Sequence, residues 1–278
     1  MNQIELIQSA IENVAVMNAR RFPVFERSIP QEKIREGRYL LYFARTPKEL
    51  DAALKLRFEV FNLELGEGLA SSFQTGRDRD EFDESCHHLI VLDWQNNEVV
   101  GTYRMQTFEM AAARKGFYSE SEYNLSGFPP EVLQDSVELG RACIAKSHRN
   151  TQVLFLLWKG LAAYLSHNRK RYLFGCCSLA SQDASEGLRV MKMLEQGGHL
   201  LMPLWATPRS GFECVAEDSI ADDGEETRIP KLFRTYLRFG AKVGSAPAID
   251  RRFKTIDFLV LFDVYEMAAQ TRRIFFGA

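Results

Sequence analysis

Short runs of apolar residues, each bounded by polar or turn-forming residues, predict the strands of this 278-residue chain. Runs of this kind that are rich in Val, Ile, Tyr and Phe are typical of buried strands. The polar residues 94–98 separate two such runs and predict a hairpin turn. The predicted strands cover residues 38–44, 88–93, 99–105, 137–145, 171–177 and 255–262.

Longer stretches whose apolar residues recur every three or four positions predict helices. The clearest helix start is at Thr46, which can cap the first turn, with Pro47 at the first helical position and Glu49 three residues after the cap. The same spacing over residues 4–17 predicts an N-terminal helix. Further helices are predicted at residues 152–167, 187–195 and 230–237.

The order of the predicted elements favours an α/β fold with a mixed central sheet flanked by helices. We divide the chain into an N-terminal helical extension, residues 1–36, and one α/β domain, residues 37–278. Residues 64–86 are polar, contain glycine and lack a clear period, so we expect them to form a loop that lines a site.

Composition indicates an ordinary globular protein, with 46% hydrophobic and 26% charged residues. The net charge of −2 argues against a protein that coats nucleic acid. Because no apolar run is long enough to cross a bilayer, we expect a cytoplasmic protein. Residues 1–21 leave two interpretations open: a helix packed on its own domain, or a helix that contacts the inner membrane peripherally.

Several charged residues stand inside or beside apolar runs, where surface patterning does not require them. They are Arg57, Asp80, Asp83, Arg104, Glu138 and Arg141. Residues three apart on a strand point to opposite faces, so Glu138 and Arg141 can share a face only if the strand is bulged, and Gly140 marks a place for such a break. One interpretation is a set of structural ion pairs. Since buried ion pairs add little net stability, a functional cluster is the other.

The strand at residues 137–145 leads through a polar, basic turn into the helix at residues 152–167. Free N–H groups and the helix dipole both favour an anion at such a helix start. We therefore expect this turn to bind a phosphate group. Its residues are Ser147, His148, Arg149, Asn150 and Thr151.

Cys86, His87 and His88 form the other cluster of chemically reactive residue types. Three adjacent residues of an extended strand cannot all face one ion, and no second ligand pair accompanies them. We therefore predict no metal site here, and we interpret the cysteines in apolar runs as buried thiols.

Four short motifs, taken in order, resemble the N-acyl-homoserine lactone synthases, which are GNAT-fold acyltransferases that use acyl-carrier-protein thioesters. The motifs are Leu56-Arg57-Phe58-Glu59-Val60-Phe61, Asp80-x-x-Asp83, Val100-Gly101-Thr102-Tyr103-Arg104 and Glu138-Leu139-Gly140-Arg141. A C-terminal block over residues 230–258 resembles more closely their relatives, the ornithine-lipid N-acyltransferases and the hemolysin-like N-acyl amino acid synthases. The resemblance covers residues 38–265 and implies a GNAT-like fold.

The resemblance also implies roles for the charged residues. Arg57, Asp80, Asp83 and Arg104 would form the amino-substrate pocket, with the aspartates on the ammonium and one of the two arginines on the carboxylate. An amine attacks only after losing its proton, so Glu138 is the expected general base, with Arg141 beside it as the second catalytic residue. Backbone N–H groups of residues 140–144 would bind the oxyanion. The turn from Ser147 to Thr151 would receive the phosphate of the carrier's pantetheine arm.

The implied reaction is bacterial-type N-acylation of an amino acid. A long acyl group, with or without a 3-hydroxyl, passes from acyl carrier protein to the α-amine of ornithine and gives a lyso-ornithine lipid. No cofactor beyond the acyl thioester is expected. Glycine or another amino acid as acceptor, a lactone synthase, and a non-catalytic carrier- or lipid-binding protein stay open as alternatives. The basic clusters at Arg149, 169–171 and 251–254 are either docking sites for the acidic carrier or solvated surface.

Overall fold

The computed structural model describes residues 22–215 and 229–277, which build a large mixed sheet covered by helices. The strands are β1 (Ile34–Glu36), β2 (Tyr39–Phe43), β3 (His87–Asp93), β4 (Glu98–Thr107), β5 (Tyr123–Asn124), β6 (Ser136–Ile144), β7 (Tyr172–Leu179), β8 (Thr207–Pro208), β9 (Lys242–Val243), β10 (Ala248–Asp250) and β11 (Thr255–Asp263). The α-helices are α1 (Pro47–Arg57), α2 (Phe108–Ala112), α3 (Pro130–Gln134), α4 (Thr151–Asn168), α5 (Ala184–Gln196), α6 (Lys231–Arg238) and α7 (Ala269–Phe276). The predicted helix at residues 4–17 lies outside the described residues.

The large sheet follows the order β1-β2-β3-β4-β6-β7-β11-β10, and β9 also pairs with β11. Neighbouring strands are antiparallel except β6 and β7, which are parallel. The predicted mixed α/β sheet is therefore confirmed. Each predicted strand and each predicted helix in the described residues is present, with ends that move by up to three residues.

Helices cover both faces of the sheet because neighbouring strand residues alternate in direction. On one face, Leu89 of β3 packs in the main core with Leu157 and Leu161 of α4. On the other face, Ile90 packs against Ala53 of α1. Helix α1 starts with the predicted capping box, since Thr46 accepts from the Glu49 N–H at 3.3 Å and the Glu49 carboxylate accepts from the Thr46 N–H at 3.0 Å.

The parallel pair β6 and β7 separates soon after it begins. The two strands pair only from Ser136 to Glu138 and from Tyr172 to Phe174. Beyond that point β6 stays with β4 and β7 stays with β11. We call the gap between residues 139–144 of β6 and 175–179 of β7 the notch. The strands still touch at its base, where a Cβ added to Gly175 would lie 2.1 Å from the carbonyl oxygen of Leu139.

The described part of the predicted N-terminal extension is not a long helix. Residues 22–36 contain one short 3-10 helix, Glu26–Ser28, and strand β1. Gly37 adopts a φ of 58°, which favours glycine, and this lets β1 fold back onto β2 as a hairpin. The sheet therefore begins inside the segment that we assigned to the extension. Among the described residues, no helix is both long and apolar enough to cross a membrane.

Candidate functional site

Strand β6 carries a β-bulge next to the notch. Thr102 of β4 pairs with Cys143, but Arg104 pairs with Gly140, so β6 has one residue more than β4 over this stretch. Arg141 lies in the bulge with a φ of 49°. The bulge that the spacing of Glu138 and Arg141 requires is thus confirmed, one residue after Gly140. The bulge disrupts the ladder with β4, and beyond Glu138 the other edge of β6 has no ladder partner in β7, so backbone groups on that edge face the notch.

Five of the six charged residues predicted to cluster come together, with Asp78 as an additional member, whereas Glu138 has other partners. We call Arg57, Asp78, Asp80, Asp83, Arg104 and Arg141 the arginine–aspartate network. Arg57 donates to Asp78 at 2.8 Å and to Asp83 at 2.6 Å. Arg104 donates to both oxygens of Asp80 at 2.6 Å. Arg141 binds Asp78 with two nitrogens and lies over the rings of Phe61 and Phe253.

This network is balanced in charge and largely closed to solvent. Three arginines face three aspartates, and Arg57 and Arg104 are only 1% and 3% exposed. Burial opposes ionisation of Asp83, but the charges of Arg57 and Arg104 outweigh it and lower the pKa of Asp83. A substrate carboxylate or ammonium would have to displace an existing partner. The geometry therefore favours a bracing role, and direct substrate binding by these residues stays a prediction.

Glu138 is held in place by four hydrogen-bond donors. Its Oε1 accepts from the N–H of Ser119 at 2.8 Å and from the Ser119 hydroxyl at 2.7 Å. Its Oε2 accepts from Gln106 at 2.7 Å and from the N–H of Tyr118 at 2.8 Å. Burial raises the pKa of Glu138, and these donors partly oppose the increase. Four donors fill the acceptor sites of one carboxylate, so Glu138 is built to order the Tyr118–Ser121 turn.

A second group of acids lies nearby, and sequence reasoning did not select it. We call Glu122, Asp250 and Asp257 the carboxylate cluster, in which one oxygen from each lies within 4.8 Å of the others. Burial raises the pKa of Asp257 to about 6, although hydrogen bonds to its carboxylate partly oppose the increase. Burial and the neighbouring charges of Asp257 and Asp250 raise the pKa of Glu122 well above its usual value. The available signal was an aspartate in the middle of the apolar run 255–262.

The cluster and Glu138 share one face of the sheet. Glu138 stands opposite Phe174, and Asp257 stands opposite Ser178, four residues further along β7. Residues an even number apart on a strand point the same way, so both acids face the same side. Tyr118 connects them, because its N–H binds Glu138 and its hydroxyl donates to Asp250 at 3.4 Å.

The predicted anion turn has the expected shape. Residues Lys146–His148 form a 3-10 turn and α4 starts at Thr151, where the Asn150 side chain accepts from the N–H of Val153 at 2.9 Å. Arg149 pairs with Glu64 at 2.6 Å, and the His148 ring lies 3.4 Å from Asp93. A groove of about 570 Å³ borders the turn. Phosphate binding by Ser147, His148, Arg149, Asn150 and Thr151 stays a prediction.

The Cys86-His87-His88 run has structural partners. His87 bonds to the Tyr164 hydroxyl at 2.7 Å and to the Val24 carbonyl at 2.8 Å, and His88 bonds to the Asp83 carbonyl at 2.8 Å. Burial lowers the pKa of both histidines to about 4 and raises that of the Cys86 thiol. Neutral, hydrogen-bonded histidines and a protonated thiol are inert, so this run belongs to the core.

Comparison with known proteins connects this architecture with acyl transfer. The family model described as an acetyltransferase (GNAT) domain matches residues 56–159. The chain is 32% identical over 246 residues to an L-ornithine N(alpha)-acyltransferase of Agrobacterium fabrum, covering 82% of this chain and 81% of the relative. It is 30% identical to an L-ornithine N(alpha)-acyltransferase of Rhodobacter capsulatus, covering 85% of this chain and 94% of the relative. Among solved structures, FeeM, an N-acyl amino acid synthase from uncultured soil microbes, shares the fold with a TM-score of 0.50 at 11% identity, covering 84% of this chain and 95% of FeeM.

Proposed function

Because this chain belongs to the L-ornithine N(alpha)-acyltransferase family and is an acyltransferase of the GNAT fold, we propose that it acylates the α-amine of ornithine. The observation that carries this proposal is the similarity to these relatives over more than four fifths of the chain. The acyl donor in the proposal is a long-chain thioester of acyl carrier protein, with or without a 3-hydroxyl. The product is a lyso-ornithine lipid.

In the proposed reaction, the donor thioester lies in the notch and the amine approaches from the face that carries Glu138. The neutral α-amine attacks the thioester carbon, a C–N bond forms, the C–S bond breaks, and the sulfur leaves as a thiol after taking a proton. Backbone N–H groups at the bulge of β6 donate to the oxyanion while it carries charge. No step requires a nucleophilic side chain or a metal ion.

Glu138 takes a positioning role in this scheme. The resemblance implies a general base, but all four acceptor sites of the carboxylate are occupied by donors from Gln106, Tyr118 and Ser119. Its proposed contribution is to hold the turn at Tyr118 beside the notch. Arg141, stacked between two aromatic rings and bonded to Asp78, holds the bulge in shape.

For the carrier, we propose docking at the groove that borders the turn before α4. The turn from Ser147 to Thr151 and the start of α4 supply N–H donors and basic side chains for the phosphate of the pantetheine arm. Arg149→Ala should raise KM for the acyl carrier thioester about tenfold and leave KM for ornithine unchanged. Arg272→Ala, which removes a basic side chain from α7, is the matched control. Equal KM values for the carrier in both variants would contradict docking at this turn.

The deciding experiment for the reaction offers purified protein several acyl donors and several amines. Long-chain and 3-hydroxyacyl thioesters of acyl carrier protein and of coenzyme A are each combined with ornithine, lysine, glycine and homoserine. Mass spectrometry then identifies N-acyl products. We expect N-acylornithine from the carrier-bound donors. A preference for glycine would correct the acceptor, and no product with any amine, despite carrier binding, would favour a non-catalytic binding protein.

A further inference from the structure

The proposed mechanism leaves the carboxylate cluster unused. Glu122, Asp250 and Asp257 are between 1% and 4% exposed, and their carboxylates converge. Within residues 22–215 and 229–277, none of the three pairs with a lysine or an arginine. The arginine–aspartate network, by contrast, supplies one arginine for each aspartate. Buried acids without a positive partner are strongly unfavourable unless they keep a proton or receive a cation.

Two oxygens of the cluster also lack a hydrogen-bond donor. Glu122 Oε1 and Asp257 Oδ1 are buried and have no partner in the described part of the chain. Asp250, in contrast, accepts from the N–H groups of Arg252 at 2.7 Å and Phe253 at 3.1 Å. Buried acceptors without donors are rare in folded proteins and need an explanation, and a bound group that is not part of the chain is one. An ammonium group supplies three N–H donors and one positive charge.

The cluster lies next to the place where the acyl group and the amine meet. Cys176 belongs to β7, which borders the notch, and its Sγ lies 3.8 Å from Glu122 Oε2. Asp257 belongs to β11, the next strand beyond β7, and stands opposite Ser178. Neighbouring strands are about 4.8 Å apart, so the cluster is offset from the notch by roughly one strand spacing. Ornithine carries its second amine at the end of a three-carbon side chain, and a similar offset separates its two amines.

We propose that the carboxylate cluster binds the side-chain ammonium of the amino acid substrate and so selects a dibasic amino acid over one without a second amine. This inference rests on the proposed function. The α-amine must be neutral when it attacks, whereas the side-chain amine stays charged throughout the reaction. Carboxylates at a fixed offset from the notch suit the second group, because a bound ammonium stabilises their ionised form, and they leave the first one free to react.

The test compares ornithine with norvaline, which has the same carbon chain but no second amine. We expect the wild type to prefer ornithine by about 100-fold or more in kcat/KM, because unpaired buried carboxylates penalise norvaline. In Glu122→Gln and Asp257→Asn, kcat/KM for ornithine should fall by at least tenfold while that for norvaline changes by less than threefold. Asp263→Asn is the matched control, because Asp263 lies on the same strand and binds Arg171.

Other results would overturn the inference. A parallel loss on both substrates in the cluster variants would indicate a structural role, and a melting curve of each variant checks its folding independently. A thermal shift by Mg²⁺ or Ca²⁺ that disappears in Asp257→Asn, together with lower activity in a chelator, would indicate a metal site instead.

The inference and the proposed function fail in different ways. If ornithine is acylated but the ratio of kcat/KM for ornithine to that for norvaline is unchanged in the cluster variants, the proposed function is supported and the inference is wrong. If no amine is acylated, the proposed reaction is wrong. The site is still supported if ornithine, but not norvaline, raises the melting temperature of the wild type and this shift is lost in Asp257→Asn. If ornithine then gives no shift either, the inference falls as well.

Discussion

At the scale of single residues, the main distinction is between acids that have partners and acids that lack them. Asp78, Asp80 and Asp83 face arginines, and Glu138 faces four donors. Such groups fix the positions of loops and strands. A carboxylate can take part in binding only where part of its charge or hydrogen-bonding capacity is free. In the described residues, the carboxylate cluster meets that condition.

Glu138→Gln is expected to lower kcat/KM without removing the acidic limb of its pH profile. The new amide presents an NH₂ group to donors that need an acceptor, so the variant should also lose about 1–3 kcal/mol of unfolding free energy. Denaturant unfolding and the pH dependence of turnover measure the two effects. Ser119→Ala removes a single donor and should cause a smaller loss of both. Disappearance of the acidic limb would restore Glu138 as general base.

The sequence revealed most of the charged residues that cluster but not what each of them binds. Their positions beside apolar runs were enough to select Arg57, Asp80, Asp83, Arg104, Glu138 and Arg141. Asp78 and Asp257 were missed for different reasons. Asp78 is in a polar loop where an aspartate is unremarkable, and Asp257 appeared as one exception in a strand. Partner identity depends on which loops fold over which strand, and local pattern carries little of that information.

At the scale of elements, the centre of the sheet depends on the close contact between β6 and β7. The bulge in β6 could be predicted because two charges three residues apart had to be reconciled with strand geometry. The divergence of β7 could not be predicted in this way, because Gly175 reads in sequence like any other strand glycine. Its significance comes from the Leu139 carbonyl across the gap, which is a long-range contact.

Gly175→Ala is expected to push the base of the notch apart. The added Cβ would lie 2.1 Å from the Leu139 carbonyl oxygen, so the backbone must move. Overpacking of this kind costs about 1–3 kcal/mol, and KM for the acyl donor should rise because the notch changes width. Gly140→Ala, across the notch, is the control, since an added Cβ there has no neighbour closer than 3.9 Å. Equal unfolding free energies for the two variants would contradict this view of the contact.

At the scale of the whole molecule, the two acid groups give stability opposite dependences on pH. The pKa values of Asp80 and Asp83 are lowered in the folded state, so their contribution is present near neutral pH and is lost on acidification. The pKa of Asp257 is raised to about 6, so the folded state binds the extra proton and loses stability as pH rises through that value.

We therefore expect Asp257→Asn to be more stable than the wild type at pH 8, by on the order of 2–3 kcal/mol, and to be nearly equal to it at pH 4. The asparagine removes a buried charge that the wild type carries only at the higher pH. Denaturant unfolding of both proteins from pH 4 to pH 8 measures the difference. Saturating ornithine should reduce this difference, because a bound ammonium compensates the charge. A difference in unfolding free energy that stays constant from pH 4 to pH 8 would contradict the raised pKa of Asp257.

The overall architecture was the most predictable level. Strand and helix order, the hairpin at residues 94–98 and the capping box at Thr46 follow from local pattern, and all are present. The assignment of residues 34–36 to a helical extension was wrong, because the turn at Gly37 depends on a positive φ that the apolar pattern does not report. Short elements such as α2, α3 and β10 were missed since they hold few residues and little periodicity.

Because β6 and β7 pair over only a few residues, the large sheet consists of two groups of strands joined by a short contact. Each flank of the sheet is continuous in itself, but at the seam only three residue pairs stand in register between the strands β1-β2-β3-β4-β6 and the strands β7-β11-β10. Amides at this seam should exchange with deuterium sooner than those inside either flank. An acyl donor bound in the notch would contact both groups of strands. Binding of the acyl thioester should therefore slow deuterium exchange in both groups together. Substrate binding would then stabilise the contact between the two groups of strands.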